Sequence, residues 1–245
     1  MDRSLVYESL KSENERDYEI YLDCKTLLSL QKPVDELCNQ DELQFQIVHQ
    51  VEELWMKLAA HTLLDIDDYL IAGNTPRALT LMRRVDRILE LMTAQLTLLE
   101  TMSPKEYQEI RLRLGNGSGQ ESPGFRTLLR TAPHLWQSFE ATYLVGQGKT
   151  VEQIYNSRYA HDEAYVLAEA LIEFDELFQK FRWHHIMLIH RSIGMGAASL
   201  KGRSVDLLQT GARHRFYPQL WDIRSKMTDA WGNAYGHVRD PLSDG

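Results

Sequence analysis

Cysteine is almost absent from this chain: among 245 residues only Cys24 and Cys38 occur. Two thiols cannot staple a disulfide scaffold, and they fit a reducing, cytoplasmic setting. No stretch approaches the roughly 20 consecutive apolar residues that a membrane span needs. The opening Met1-Asp-Arg-Ser-Leu5 is polar and lacks the apolar core of a signal peptide. Positive charge is in deficit, with 27 Lys and Arg against 35 Asp and Glu, a formal net charge of −8. There is no Lys/Arg run either, so nucleic acid is not an expected partner. Period-two alternation bounded by turn residues is also missing. The expected fold is therefore all-α, a single-domain helical bundle over residues 1–245 with no internal repeat.

Apolar residues, 43% of the chain, recur instead at helical spacing. Residues 17–31 read as a short helix stopped by Pro33. Asn39 and Glu42 form a capping pair for a helix from Asp41 to Ala72, with Ile47, Val51, Leu54, Trp55 and Leu58 on its inner stripe. Gly73-Asn74 ends it, and Thr75 as N-cap with Pro76 behind it starts the next. That helix carries Leu79, Met82, Ile88, Met92, Leu96 and Leu99 inward. Ser103-Pro-Lys-Glu106 reads as a capping box for a third helix, which ends at Gly115-Asn-Gly-Ser-Gly119. Residues 134–146 are expected to be helical, a long helix spans Ala160 to Ile193, and Pro218 opens a last one. The glycine-bearing tail from Asp229 to Gly245 reads as loop or lid.

Several familiar sites are excluded. Gly146-Gln-Gly-Lys-Thr150 resembles the end of a phosphate loop, but Tyr143 stands where that loop needs glycine and no strand precedes it. It reads better as a helix stop followed by a new N-cap. Gly117-Ser-Gly119 lacks the outer glycines of a nucleophile elbow. A di-iron centre needs Glu-x-x-His pairs, and no histidine here has a glutamate three positions before it. Glu163, Glu169, Glu173 and Glu176 read as a solvated helix face, and His61 with Asp65 as a surface contact.

Two histidines remain inside strongly apolar helical segments. His49 sits in Phe45-Gln-Ile-Val-His-Gln-Val51, and His185 in Phe181-Arg-Trp-His-His-Ile-Met-Leu188. An imidazole held neutral in an apolar interior is a good iron ligand and a good proton acceptor. Together they point to a haem pocket with one histidine on each side of the iron. No Cys-x-x-Cys-His exists, so a thioether-attached haem is not indicated. Arg182, His184, His190 and Arg191 surround His185, where cations can meet propionates. Arg111, on a helix entering the glycine-rich loop, has the fixed fork that suits an amino-acid carboxylate.

These segments resemble the tryptophan 2,3-dioxygenase family, over most of residues 17–227 with a shortened middle. His49-Gln50, Glu53-Leu-Trp55 and Lys57 match the family's distal helix. Ser103-Pro104, Glu106-Tyr107 through Arg111, Leu114-Gly115 and Ser118-Gly119 match its substrate-carboxylate segment. Phe181-Arg182, His185, Arg191 and Ile193-Gly194 match its proximal-ligand segment. Tyr217-Pro218, Leu220, Asp222 and Arg224 match the helix beyond it. Two departures stand out. Ala198-Ser199-Leu-Lys-Gly-Arg203 replaces a glycine–threonine loop, and Phe125 stands where a tyrosine is common.

The resemblance implies roles. His185 is the axial ligand of haem b, with Trp55 and Arg182 beside the cofactor. His49 lies near the indole nitrogen, and Phe45 packs on the indole. Arg111 pairs with the substrate carboxylate, Tyr107 and Ser118 line the same pocket, and Ser199 keeps a hydroxyl for the closing loop. Tyr18 and Tyr21 belong to an N-terminal arm (residues 1–40) that reaches a neighbouring subunit, which implies a homotetramer or homodimer. The implied activity inserts oxygen from O2, the co-substrate, into the indole C2–C3 bond of L-tryptophan or a substituted tryptophan. Two alternatives accompany it. One is insertion of a single oxygen atom into a tryptophan derivative or another aromatic amino acid in secondary metabolism. The other is haem binding without turnover.

Overall fold

The computed structural model describes residues 2–115, 117, 119–195, 214–230 and 232, and none of these is in a strand. The helices are α1 (Arg3–Ser9), α2 (Asp17–Leu22), α3 (Cys24–Leu27), α4 (Glu42–Ile71), α5 (Thr75–Leu99), α6 (Pro104–Leu114), α7 (Pro123–Thr131), α8 (His134–Phe139), α9 (Val151–Tyr155), α10 (Glu163–Ile193) and α11 (Pro218–Ala230). At about 1.5 Å per residue, α4 and α10 each run about 45 Å. Helix α5 packs against both of them, α7 and α8 cover α4, α6 lies on α10, and α11 contacts α9 and α10.

The core lies along these three long helices. Leu63, Ile66 and Leu70 of α4 meet Leu81, Val85, Leu89 and Met92 of α5, which meet Leu167, Leu171, Phe174 and Phe178 of α10. Burying each such side chain contributes about 1.5–3 kcal/mol before entropy is counted. The inner stripe of α4 differs from the expectation. Ile47, Leu54 and Leu58 are 42%, 52% and 42% exposed, while Val48, Glu52, Met56, Ala59, Leu63 and Ile66 are buried. This helix is apolar on two faces, so its periodicity did not determine which face the chain covers itself.

Helix ends follow local chemistry more closely than motif. Asn74, not Thr75, caps α5 through its side-chain oxygen, which accepts from the Arg77 N–H at 3.3 Å. Thr75 is buried and its hydroxyl bonds Tyr143 at 2.9 Å. Ser103 makes no side-chain cap to α6, and Asp41 makes none to α4. Glu42 instead accepts from the Cys38 N–H at 2.6 Å and pairs with Lys32. Asp23 adopts φ +50°, which splits the expected 17–31 helix into α2 and α3. The expected helix over 134–146 begins as α8, then relaxes into a π turn over Glu140–Leu144 and a 3-10 turn over Val145–Gln147. Gly148, at φ +64°, ends the run, and Thr150 with Gln153 forms a capping box for α9, as expected of a stop and restart.

Two polar knots fix the outer helices. Asp175 of α10 is fully buried. One of its oxygens accepts from the N–H groups of Phe216 and Tyr217 at 3.0 and 3.2 Å and from the Trp221 indole at 2.9 Å. This carboxylate sets where the chain re-enters the core before α11. On the other side, Glu53 accepts from the Gly124 N–H at 3.0 Å, which seats the start of α7 on α4.

Candidate functional site

The first two turns of α4 place Phe45 and His49 opposite the last three turns of α10, which place His185, Leu188, Ile189 and Ser192. Between them, Leu99 ends α5, Met102 sits in the link to α6, and Tyr107 projects from α6. These nine side chains line one cavity of about 40 Å³. Phe45, His49, Tyr107 and His185 were expected here, and the structure brings them together. The other five were not singled out. Leu188, Ile189 and Ser192 stand three, four and seven positions after His185, so helical spacing from that histidine was the available signal.

Within the cluster, the Phe45 ring lies 4.1 Å from the His49 ring and 6.4 Å from that of Tyr107. Phe181 lies parallel to His185 at 6.4 Å. His49 Nδ1 sits 2.7 Å from the Phe45 carbonyl oxygen. A carbonyl only accepts, so Nδ1 carries the proton and the lone pair is on Nε2. Burial lowers the pKa of His49, partly offset by that hydrogen bond and by Glu53. Burial pushes His185 down to about 4, helped by repulsion from His49 and His184. Both rings are therefore neutral near pH 7 and keep an edge on the cavity. Burial also raises the Tyr107 phenol, with Arg111 opposing.

The remaining expected residues lie around this centre. Arg111 is half-buried beside Tyr107 and is not on the cavity wall. Arg182 is half-buried one turn before His185, with its guanidinium 5.8 Å from the ring centres of both Phe125 and Phe178. Its Nη1 finds no partner among the described residues. Trp55 packs on the core away from the cavity. Tyr18 and Tyr21 are 72% and 88% exposed and take no part in this chain's own cavity. Ser118, Ser199 and most of the 229–245 tail lie outside the described residues.

The donor chemistry fits an imidazole-held haem. His185 is neutral, its ring makes no hydrogen bond among the described residues, and the half-buried Arg182 lies one turn away. The open space does not yet match. A water needs about 10–15 Å³ of such volume, so this cavity is far below porphyrin size. The backbone of Gly119 lies against the His185 edge: a Cβ there would stand 3.3 Å from Cε1 and 3.9 Å from Nε2. Among the described residues the space between the two histidines is thus smaller than a porphyrin, and admitting one beside His185 requires the backbone at Gly119 to withdraw. No group of three or more His, Cys, Asp or Glu able to hold a bare metal ion occurs among the described residues. No helix among them is long and apolar enough to cross a membrane.

The profile of tryptophan 2,3-dioxygenase matches residues 7–131, which hold Phe45, His49, Tyr107 and Arg111. The tryptophan 2,3-dioxygenase of Myxococcus xanthus is 30% identical over 261 residues, covering 86% of this chain and 89% of its own length. That of Herpetosiphon aurantiacus is also 30% identical, over 86% of this chain and 98% of its own. That of an Arthrobacter species is 28% identical, over 86% and 91%. All-helical architecture, the paired histidines of α4 and α10, and likeness along nearly the whole length converge on one conclusion: the chain belongs to the tryptophan 2,3-dioxygenase family of enzymes.

Proposed function

We propose that the chain is a haem-dependent, cytoplasmic, single-domain oxygenase that adds both atoms of O2 across the indole C2–C3 bond of L-tryptophan or a substituted tryptophan. The observation that carries this reading is the convergence of two neutral histidines and two aromatic rings on one cavity, at positions where the chain resembles its family. When bound, haem b supplies the oxygen chemistry. His185 would hold it through its unbonded imidazole, with Arg182 one turn before it on the same helix. His49 accepts a hydrogen bond from the indole N–H at Nε2, because its Nδ1 is committed to the Phe45 carbonyl. Phe45 packs on the indole and Tyr107 closes the pocket beside it. Arg111, which already acts electrostatically on Tyr107, anchors the substrate carboxylate. Ser118 and Ser199 contribute hydroxyls to the same substrate.

The proposal extends to assembly. No residue of α1, α2 or α3 is buried, although Leu5, Val6, Ile20, Leu22 and Leu27 are apolar. Tyr18 and Tyr21 on this arm complete the site of a second copy in a homotetramer or homodimer, and Ile47, Leu54 and Leu58 of α4 are apolar and exposed as well. Cys24 and Cys38 remain free thiols, which fits a reducing compartment.

The test is spectroscopic and then chemical. The haem-loaded chain should show a Soret band that shifts on adding L-tryptophan under anaerobic reduction. Admission of O2 should then give a product heavier by two oxygen atoms. A gain of one atom would make it a monooxygenase, and a Soret band indifferent to aromatic amino acids would make it a haem-binding protein without this substrate.

A further inference from the structure

Several walls of the cavity are tied together by polar groups that stand beside the wall residues and outside the cavity. Glu100 follows the wall residue Leu99, and His184 precedes the wall residue His185. Nε2 of His184 lies 2.9 Å from a Glu100 carboxylate oxygen. The carboxylate accepts, so Nε2 carries the proton of this bond. Gln44 precedes Phe45, and its amide donates to the Leu98 carbonyl and, at 3.2 Å, to the Thr101 hydroxyl. Asn39 donates to the carbonyl of Glu106, beside Tyr107, at 3.1 Å, and to the Glu109 carboxylate at 3.0 Å. Phe45, Leu99, Tyr107 and His185 thus each have a chain neighbour bonded to another segment.

We infer that the Glu100–His184 bond is a clasp that sets how far the end of α5 stands from α10, and so the width of the cavity between Leu99 and His185. It joins residues 84 positions apart, each adjacent in the chain to an opposite wall. Apolar packing also holds α5 to α10, but burial of apolar surface is non-directional and tolerates small slides. A hydrogen bond weakens steeply with distance and angle, so it selects one spacing. At that spacing the cavity, about 40 Å³, holds no more than a few waters. Widening it on this side requires the clasp to part. The Gln44 bonds hold Leu98 and Thr101 to α4, so the end of α5 does not simply follow α10 outward. Glu100 is a positioning residue here: it is not on the cavity wall and acts through Leu99 and His184. The inference concerns the chain's own walls and stands or falls separately from the proposed function.

The test uses the full chain without haem. Diethyl pyrocarbonate acylates neutral imidazoles and is larger than the cavity. Its rate of attack on His185, read by mass spectrometry against the exposed His61, therefore follows the population in which the walls have parted. Glu100→Ala should raise the His185-to-His61 ratio by about five-fold, the worth of one hydrogen bond. Glu100→Gln keeps an acceptor for the His184 N–H and should stay within about two-fold of the parent. His184→Leu removes the donor from the other side and should match Glu100→Ala, so either variant serves if circular dichroism shows that the other has not folded. Combining the two should add nothing beyond about two-fold, because both remove the same bond. A His185 ratio unchanged in the single variants would overturn the inference. So would a Glu100→Gln chain as reactive as Glu100→Ala, or single effects that multiply in the double variant, since Glu100 and His184 would then act apart.

Discussion

His49 shows how one hydrogen bond sets a side chain's chemistry. With Nδ1–H donated to the Phe45 carbonyl, only Nε2 can accept, and burial keeps the ring neutral. Replacing it by alanine should leave haem bound and lower kcat/KM by about five- to ten-fold, the worth of one hydrogen bond. Loss of haem from that variant would mean that the two histidines have exchanged roles. Because the His49 pKa lies below its ordinary 6.5, the acceptor lone pair persists as pH falls through 6.5. A tryptophan KM that rises sharply at pH 6.5 would contradict this. Arg111→Leu should raise KM for tryptophan by about ten-fold or more, from a charge-assisted contact of about 1.5–3 kcal/mol, and leave an indole lacking the carboxylate unaffected. Equal effects on both compounds would remove Arg111 from the substrate site. At this scale the sequence was informative where a residue type carries its own chemistry, as with His49 and His185. It was silent on Met102 and Leu99, because an apolar residue that lines a cavity looks like one that fills a core.

The helices α4 and α5 each hide an unneutralised carboxylate. Burial raises Glu52 to about 7, with Glu53 adding to the effect. Asp86 also rises to about 7, through burial and then the charges of Glu173 and Glu90. Each has an oxygen without a partner among the described residues. The unfolded chain ionises these groups near 4.5 and 3.8, so folding stability falls as pH rises from about 4 to about 7 and levels off above. Glu52→Gln or Asp86→Asn should therefore stabilise the protein at pH 8, by on the order of 2 kcal/mol, and have little effect at pH 4. Thermal unfolding at the two pH values measures this, and an equal shift at both would disprove it. Packing is equally specific where α7 meets α4. A Cβ on Gly124 would stand 2.7 Å from Met56 Cβ and 2.8 Å from a Glu53 oxygen. Gly124→Ala should cost about 1–3 kcal/mol in thermal unfolding, and an unchanged Tm would show that the helices slide apart freely. Neither feature was readable beforehand. Periodicity placed α4, α5, α6 and α10 to within a few residues, but the phase of α4 depends on what lies on each side of it. The cap at Asn74 was missed because a candidate capping side chain can be drawn into a tertiary bond, as Thr75 is by Tyr143.

At the scale of the molecule, the N-terminal arm stands out among the described residues for the apolar side chains it leaves exposed. Its anchors to the body are polar: Gln31 donates to Gln50 at 2.7 Å, Gln50 to the Leu30 carbonyl at 3.2 Å, and Lys32 pairs with Glu42. Its leucines and tyrosines stay exposed. Deleting residues 2–28 should lower the oligomeric mass measured by light scattering and abolish the tryptophan-dependent Soret shift, while haem still binds. An unchanged mass and shift would assign the arm no role in assembly or substrate binding. The all-helical class was legible from the missing strand pattern alone. That His49 and His185, 136 positions apart, share one cavity was expected from their apolar settings; that α5 brings them there by holding α4 and α10 side by side was not. All of this rests on His185 as the ligand, and the absorption spectrum of haem-loaded His185→Ala after gel filtration tests that most directly. The account predicts that the Soret band is lost with the small-molecule fraction while the helical protein elutes normally. A full-intensity Soret band travelling with the protein would contradict it.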